Sequence, residues 1–99
     1  MPIQAIHPGE HIKEELNELG MSAAQLARNL AVPTNRITAI LNGQRSITGD
    51  TALRLAHFFG TSPEFWLNLQ LRYDLDLARM TVSADAIRNA DDFARSMAA

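Results

Sequence analysis

Residues 21–43, MSAAQLARNLAVPTNRITAILNG, leave the chain few ways to fold, because two short helical patterns meet across a single proline. Ser22 can offer its side-chain oxygen to the orphan amides of an opening turn. Ala23, Leu26, Ala27 and Leu30 then recur at helical spacing as one narrow apolar stripe. Ala31-Val32-Pro33 ends this segment, since the residue before a proline is driven out of the α region and proline breaks the hydrogen-bond ladder. The second segment restarts with Thr34 as its cap, or with Pro33 in its first turn. Ile37, Ile40 and Leu41 are its apolar positions, and the small Ala23 and Ala27 let the two helices cross closely.

The pair reads as a helix-turn-helix with its second helix facing solvent. At about 100° per residue, Asn35, Ala39 and Asn42 fall opposite Ile37, with Arg36 and Thr38 on the flanks. Short amides, a hydroxyl and a methyl, in place of the usual Glu and Lys, suit close docking against base-pair edges. Asn pairs bidentately with adenine, Thr bonds or offers a methyl, and Ala meets a thymine methyl. The competing reading is a small helical domain whose solvated face happens to lack Glu and Lys. The docking geometry of such motifs favours double-stranded DNA.

A net charge of −2 looks wrong for such a partner until it is divided along the chain. Residues 22–54 hold four arginines (Arg28, Arg36, Arg45, Arg54) against Asp50, while residues 1–21 hold Lys13 against four glutamates. Residues 55–99 hold four arginines against six acids. The local excess of cations coincides with the helix pair, as phosphate neutralisation requires. The sequence lacks cysteine, which removes disulfides and thiolate metal sites and fits a reducing compartment. With no membrane-length apolar run and no basic leader, a cytoplasmic location is expected.

Ninety-nine residues allow one domain with a modest core. After a short apolar lead-in (1–6), His7-Pro8-Gly9-Glu10 opens a first helix, Ile12, Leu16 and Leu19 form its buried stripe, and Gly20 stops it. Beyond the loop 44–47, Thr48 caps a fourth helix with Ala52, Leu55, Ala56 and Phe59 inward, and Gly60 ends it. Thr61-Ser62-Pro63-Glu64 is a dense start signal, with Glu64 three residues after Thr61 as in a capping box. The fifth helix, 63–80, carries two apolar faces. Phe65, Trp66, Leu69, Tyr73 and Leu77 can close the domain, while Leu67, Leu71 and Leu75 form a separate stripe that calls for a twofold partner. The alternative is that the tail folds back over these leucines. The expected architecture is thus an all-α, five-helix domain over 1–80, with an 81–99 tail that is either a docking helix behind a Ser83 cap or a frayed end.

Histidines 7 and 11 are four apart with Glu10 and Glu14 near, but Pro8 places His7 before the helix and the order is not that of a zinc motif. They read as a residue at the head of the helix and a surface residue, and His57 as a partly buried packing residue. No phosphate loop, nucleophile triad or paired carboxylates support an enzyme, and no cofactor is implied.

With the segments IHPGEHIKEEL, SAAQLARNLAVPTNRITAILNG and ITGDTALRLAHFFGTSPEFWLNLQLRYDL, the chain resembles the HigA/VapI-type antitoxins, a branch of the phage-repressor-like (XRE) helix-turn-helix proteins. The match runs from about Ile6 to Leu75. It implies a homodimeric repressor of its own promoter, bound to a palindromic operator. It also implies a small basic HigB-type toxin as partner, resembling ribosome-dependent mRNA endonucleases. By this resemblance Thr34, Asn35, Arg36, Thr38 and Ala39 match base-reading positions. Asn42, Gln44 and Arg45 match the phosphate-touching loop, and Ala23 a phosphate position often held by Gln. Alanine there offers only its amide, so the contact is weakened or shifted to Arg28. The rival classes are a free-standing repressor without a toxin and an interaction adaptor that no longer binds DNA.

Overall fold

Apart from the third, each helix of the described residues begins where a side chain can occupy the orphan amides of its first turn. The computed structural model describes residues 4–98, which form α1 (Pro8–Leu19), α2 (Ala23–Leu30), α3 (Thr34–Leu41), α4 (Gly49–Phe59), α5 (Pro63–Thr81) and α6 (Ala84–Met97). The first half of the apolar lead-in (1–3) and the last residue of the tail lie outside the described residues. His7 caps α1, its Nδ1 accepting from the Gly9 N–H at 2.9 Å. Ser22 and Gln25 close a reciprocal capping box over α2, at 3.1 and 2.8 Å. Thr48, Ser62 and Ser83 cap α4, α5 and α6.

Ile12 and Leu16 of α1 meet Leu26, Ala27 and Leu30 of α2, Ile37 and Ile40 of α3, and Ala52, Leu55 and Ala56 of α4 in one core. Ile47 enters it from the loop before α4, and Trp66 closes it from α5. Trp66 is fully buried against Phe59 and Phe65, and its indole N–H donates to the Thr61 hydroxyl at 2.8 Å. α1 lies on α3 at one point where only glycine fits: a Cβ on Gly9 would overlap the Ile40 carbonyl oxygen and stand 3.0 Å from its carbon.

Several sequence expectations change. The tail is a sixth helix, so the described residues form six helices in place of five and a tail. Ser62, not Thr61, caps α5, because the Thr61 hydroxyl is taken by Trp66. Pro33 stands at the N-cap of α3 and Thr34 is the first helical residue. Leu19 is exposed: the reversal at Gly20 brings Met21 onto the core beside Leu16, to whose carbonyl its N–H donates at 3.0 Å. Leu77 is 39% exposed, while its neighbour Asp76 is buried. His57 is exposed too, on the face of α4 that also carries the exposed Leu53 one turn earlier.

The turn of the helix-turn-helix carries backbone strain. α2 ends in a paired reversal, with the Ala31 N–H on the Arg28 carbonyl and the Val32 N–H on that of Ala27. Its left-handed position, usually glycine, is Ala31 at φ 57°.

Two substitutions of opposite sign follow. Helix propensity alone favours Gly9→Ala, but the overlap with Ile40 outweighs it, and the variant should lose about 3 kcal/mol in denaturant unfolding. Ala31→Gly should gain about 1 kcal/mol by removing the left-handed penalty, which raises Tm by about 4–8 °C for a chain of this size.

Candidate nucleic-acid interface

α3 is held by its apolar side and presents the other. Ile37 and Ile40 are buried, while Thr34 and Asn35 are exposed and Thr38 and Ala39 half-buried. The Thr38 hydroxyl donates to the Asn35 carbonyl at 3.3 Å, which leaves its oxygen lone pairs outward. Pro33 provides no side-chain cap, so the amides of Thr34 and Asn35 stay open at the positive end of the helix. At the far end Asn42 is the C-cap, Gly43 takes φ 75°, and the Gln44 N–H returns to the Ala39 carbonyl at 2.8 Å. Asn42, Gln44 and Arg45 are all exposed where the chain leaves the helix. On α2, Arg28 is exposed, and Ala23 packs its methyl on the core at the helix start.

Arg36 behaves differently from its neighbours. Its guanidinium donates to Asp50 at 2.7 Å, and Arg54 donates to the same carboxylate at 2.9 Å. Arg54 also donates to the Leu30 carbonyl at 2.7 Å and reaches that of Ala31 at 3.4 Å. Together these bonds tie the start of α4 to the end of α2 and the flank of α3. Arg54 first, then Arg36, holds the exposed Asp50 carboxyl below its ordinary value. Two of the four arginines counted for the basic segment are therefore already paired. Among the described residues, Arg28 and Arg45 remain its cations without a carboxylate.

The loop after α3 is braced from behind by residues that sequence reasoning did not single out for this role. Gln70 of α5 is buried, and its Oε1 accepts from the Ile47 N–H at 2.8 Å. Its Nε2 donates to Asp74 at 2.9 Å and to Ser46 at 3.3 Å. A polar residue one turn after a core tryptophan is the signal that could have pointed to it. His7 stands beside Gly43 with its ring edge-on to Tyr73, centroids 4.9 Å apart. Burial lowers the His7 pKa, opposed by the Arg45 backbone and by Asp74 and Glu10. Accepting at Nδ1 requires the neutral ring, with its proton on Nε2. His11 packs edge-on against Phe65 and Trp66, half-buried.

The leucine stripe of α5 is open, with Leu67, Leu71 and Leu75 exposed to 37, 56 and 44%. Among the described residues no cluster of three or more His, Cys, Asp or Glu side chains could hold a metal ion. None of their helices is long and apolar enough to cross a membrane.

This arrangement of five packed helices, with α3 crossing α2 and facing outward, defines a helix-turn-helix protein. The chain belongs to the XRE-type helix-turn-helix family, whose profile matches residues 12–66, from the first buried core residue to the last. It is 52% identical over 75 residues to Virulence-associated protein I of Dichelobacter nodosus, covering 75% of this chain and 69% of that one. A solved addiction-module antidote protein of the HigA family from Coxiella burnetii shares 70% identity at a TM-score of 0.75, over 76% of this chain and 83% of its own. The antitoxin HigA of Pseudomonas aeruginosa, solved with the higBA promoter, shares 45% identity at a TM-score of 0.74, over 76% and 83%.

Two measurements check the bracing. His7 binds a proton less readily folded than unfolded, so its contribution to stability is complete above pH 6.5, the ordinary value, and is lost as pH falls below it through the lower folded-state value. Urea unfolding between pH 5.5 and 7.5 should show stability rising with pH, with the slope reduced in His7→Ala. Gln70→Leu strands the Ile47 N–H and should cost about 1–3 kcal/mol.

Proposed function

We propose that this chain is the DNA-binding antitoxin of a toxin–antitoxin pair, repressing its own operon as a dimer. The observation that carries the reading is the outward face of α3, where Asn35, Thr38, Ala39 and Asn42 offer amides, a hydroxyl and a methyl without a charged side chain among them. The relative of known structure bound to a promoter supports it. Asn35 and Thr38 read base edges, with Thr34 and Ala39 against the groove wall. The open amides of α3, Arg28 of α2, the Ala23 amide, and Asn42, Gln44 and Arg45 meet phosphates. Arg36 reaches base or phosphate only by leaving Asp50. Domain 1–80 supplies both recognition and dimerisation, with Leu67, Leu71 and Leu75 on the twofold axis.

The toxin partner is a small basic HigB-type protein that cleaves mRNA on the ribosome. Support comes from the HigA-type relatives and from the acidic ends, Glu10, Glu14, Glu15 and Glu18 at one and Asp85, Asp91 and Asp92 at the other. Such surfaces steer a basic partner chiefly through its association rate. Silencing then consists of covering the toxin's RNA-binding surface, with no chemistry by this chain.

Asn35→Ala should cost about 1–3 kcal/mol on the operator and relax specificity at one base pair, whereas Arg45→Ala should weaken operator and random DNA alike. Equal losses on both DNAs for Asn35→Ala would contradict the assignment. The product of the adjacent small reading frame should be toxic alone and co-purify with this chain. A harmless product that does not co-purify leaves a free-standing repressor.

A further inference from the structure

α6 is helical over 14 residues and buries none of them. Apart from Ala84, its apolar residues share one arc of about 120°: Ala86, Met97, Ala90 and Ala94 along the middle, Ile87 on one edge and Phe93 on the other. Asp85, Arg88, Asp92 and Arg95 lie on the opposite side, and Asp91 stands at the margin of the arc beside Ile87. Ile87, Phe93 and Met97 are exposed to 55, 68 and 71%. A helix of this length is marginal in water by itself, and its surface pairs, Arg88–Asp85 and Arg95–Asp92, add little. The small central residues permit a close helix–helix approach.

We infer that α6 forms the second half of the homodimer interface, laying its apolar face on a second copy of this chain, in that copy's groove between α5 and α6. The inference rests on the dimer proposed above and says what completes it. Area is the first argument. Three part-exposed leucines supply a small fraction of the roughly 800 Å² per partner that a stable interface buries, and α6 holds the largest remaining exposed apolar side chains. Continuity is the second. The groove is lined by Leu75, Ala78, Arg79, Val82 and Ile87, so it begins at the last leucine of the α5 stripe. Charge is the third. Arg79 rims the groove, half-exposed although paired with Asp76 at 3.0 Å, while Asp91, beside Ile87 on the margin of the apolar face, has no ion-pair partner among the described residues. Twofold symmetry then fills each groove once, and neither copy keeps a bare helix.

The test uses the full chain, with sedimentation equilibrium and cross-linking. Phe93→Asp combined with Met97→Asp changes only exposed positions and should raise the dimer Kd at least tenfold with helical content unchanged. The sequence has no cysteine, so copies carrying Ala78→Cys can be mixed with copies carrying Ala94→Cys, and oxidation should join unlike copies. If the double variant dimerises as tightly as the parent while Leu71→Asp dissociates, α6 has no part in the interface and the α5 dimer stands. If the parent chain is a monomer, the dimer reading itself falls. If Leu71→Asp stays fully dimeric, the α5 stripe is not in the interface, and an interface shared between α5 and α6 falls with it. A cysteine pair placed at 78 and 94 of one chain that closes within that chain shows α6 folding back, and also overturns the inference.

Discussion

The position of α3 depends on a contact without a side chain. Gly9 lets the first turn of α1 lie against the Ile40 carbonyl, and His7, which caps that same turn, stands against Gly43 just past the end of α3. The sequence His7-Pro8-Gly9 therefore begins one helix and fixes the far end of another. Around it the core closes from both sides, Ile37 and Ile40 on α3 against Ile12 and Leu16 on α1. A helix of eight residues cannot be stable alone. Its rigidity comes from this seat, which leaves its outer face free of any structural duty.

The near end of α3 is fixed by charge. Asp50 collects Arg36 and Arg54, and Arg54 carries the tie onward to the carbonyls that end α2. The strained Ala31 sits at that same end, so the turn is set by bonds from α4 as well as by its own sequence. This use of arginine reduces the cationic surface to fewer groups than the charge count suggested. Binding would then lean on helix amides and shape more than on a broad basic patch.

Much of this was legible in the sequence because caps and spacing are local. Ser22, Thr48, Gly20 and Gly60 mark boundaries that the structure reproduces, and the stripes of α2 and α3 are buried where the periodicity put them. The misreadings share a cause, which is that the deciding partner is remote in sequence. Thr61 is drawn off its expected role by Trp66, Leu19 is displaced by Met21, and Gln70 is buried because Ile47, 23 residues away, needs an acceptor. Arg36 sat on the right flank but faced Asp50, which no spacing within α3 could reveal. The tail was ambiguous because its stripe is real but is not buried by any of the described residues.

The two halves of the molecule thus divide the work. α1 to α4 hold a short polar helix outward, and α5 with α6 offers apolar faces that one copy leaves uncovered. In the proposed function, the outward faces of two α3 helices read DNA as a pair. Hydroxyl-radical footprinting on the DNA upstream of the chain's own gene tests it most directly. Two protected patches on one face of the duplex, about one helical turn apart or a multiple of it, are the predicted result. Absence of protection at concentrations where the folded protein is in large excess would contradict it.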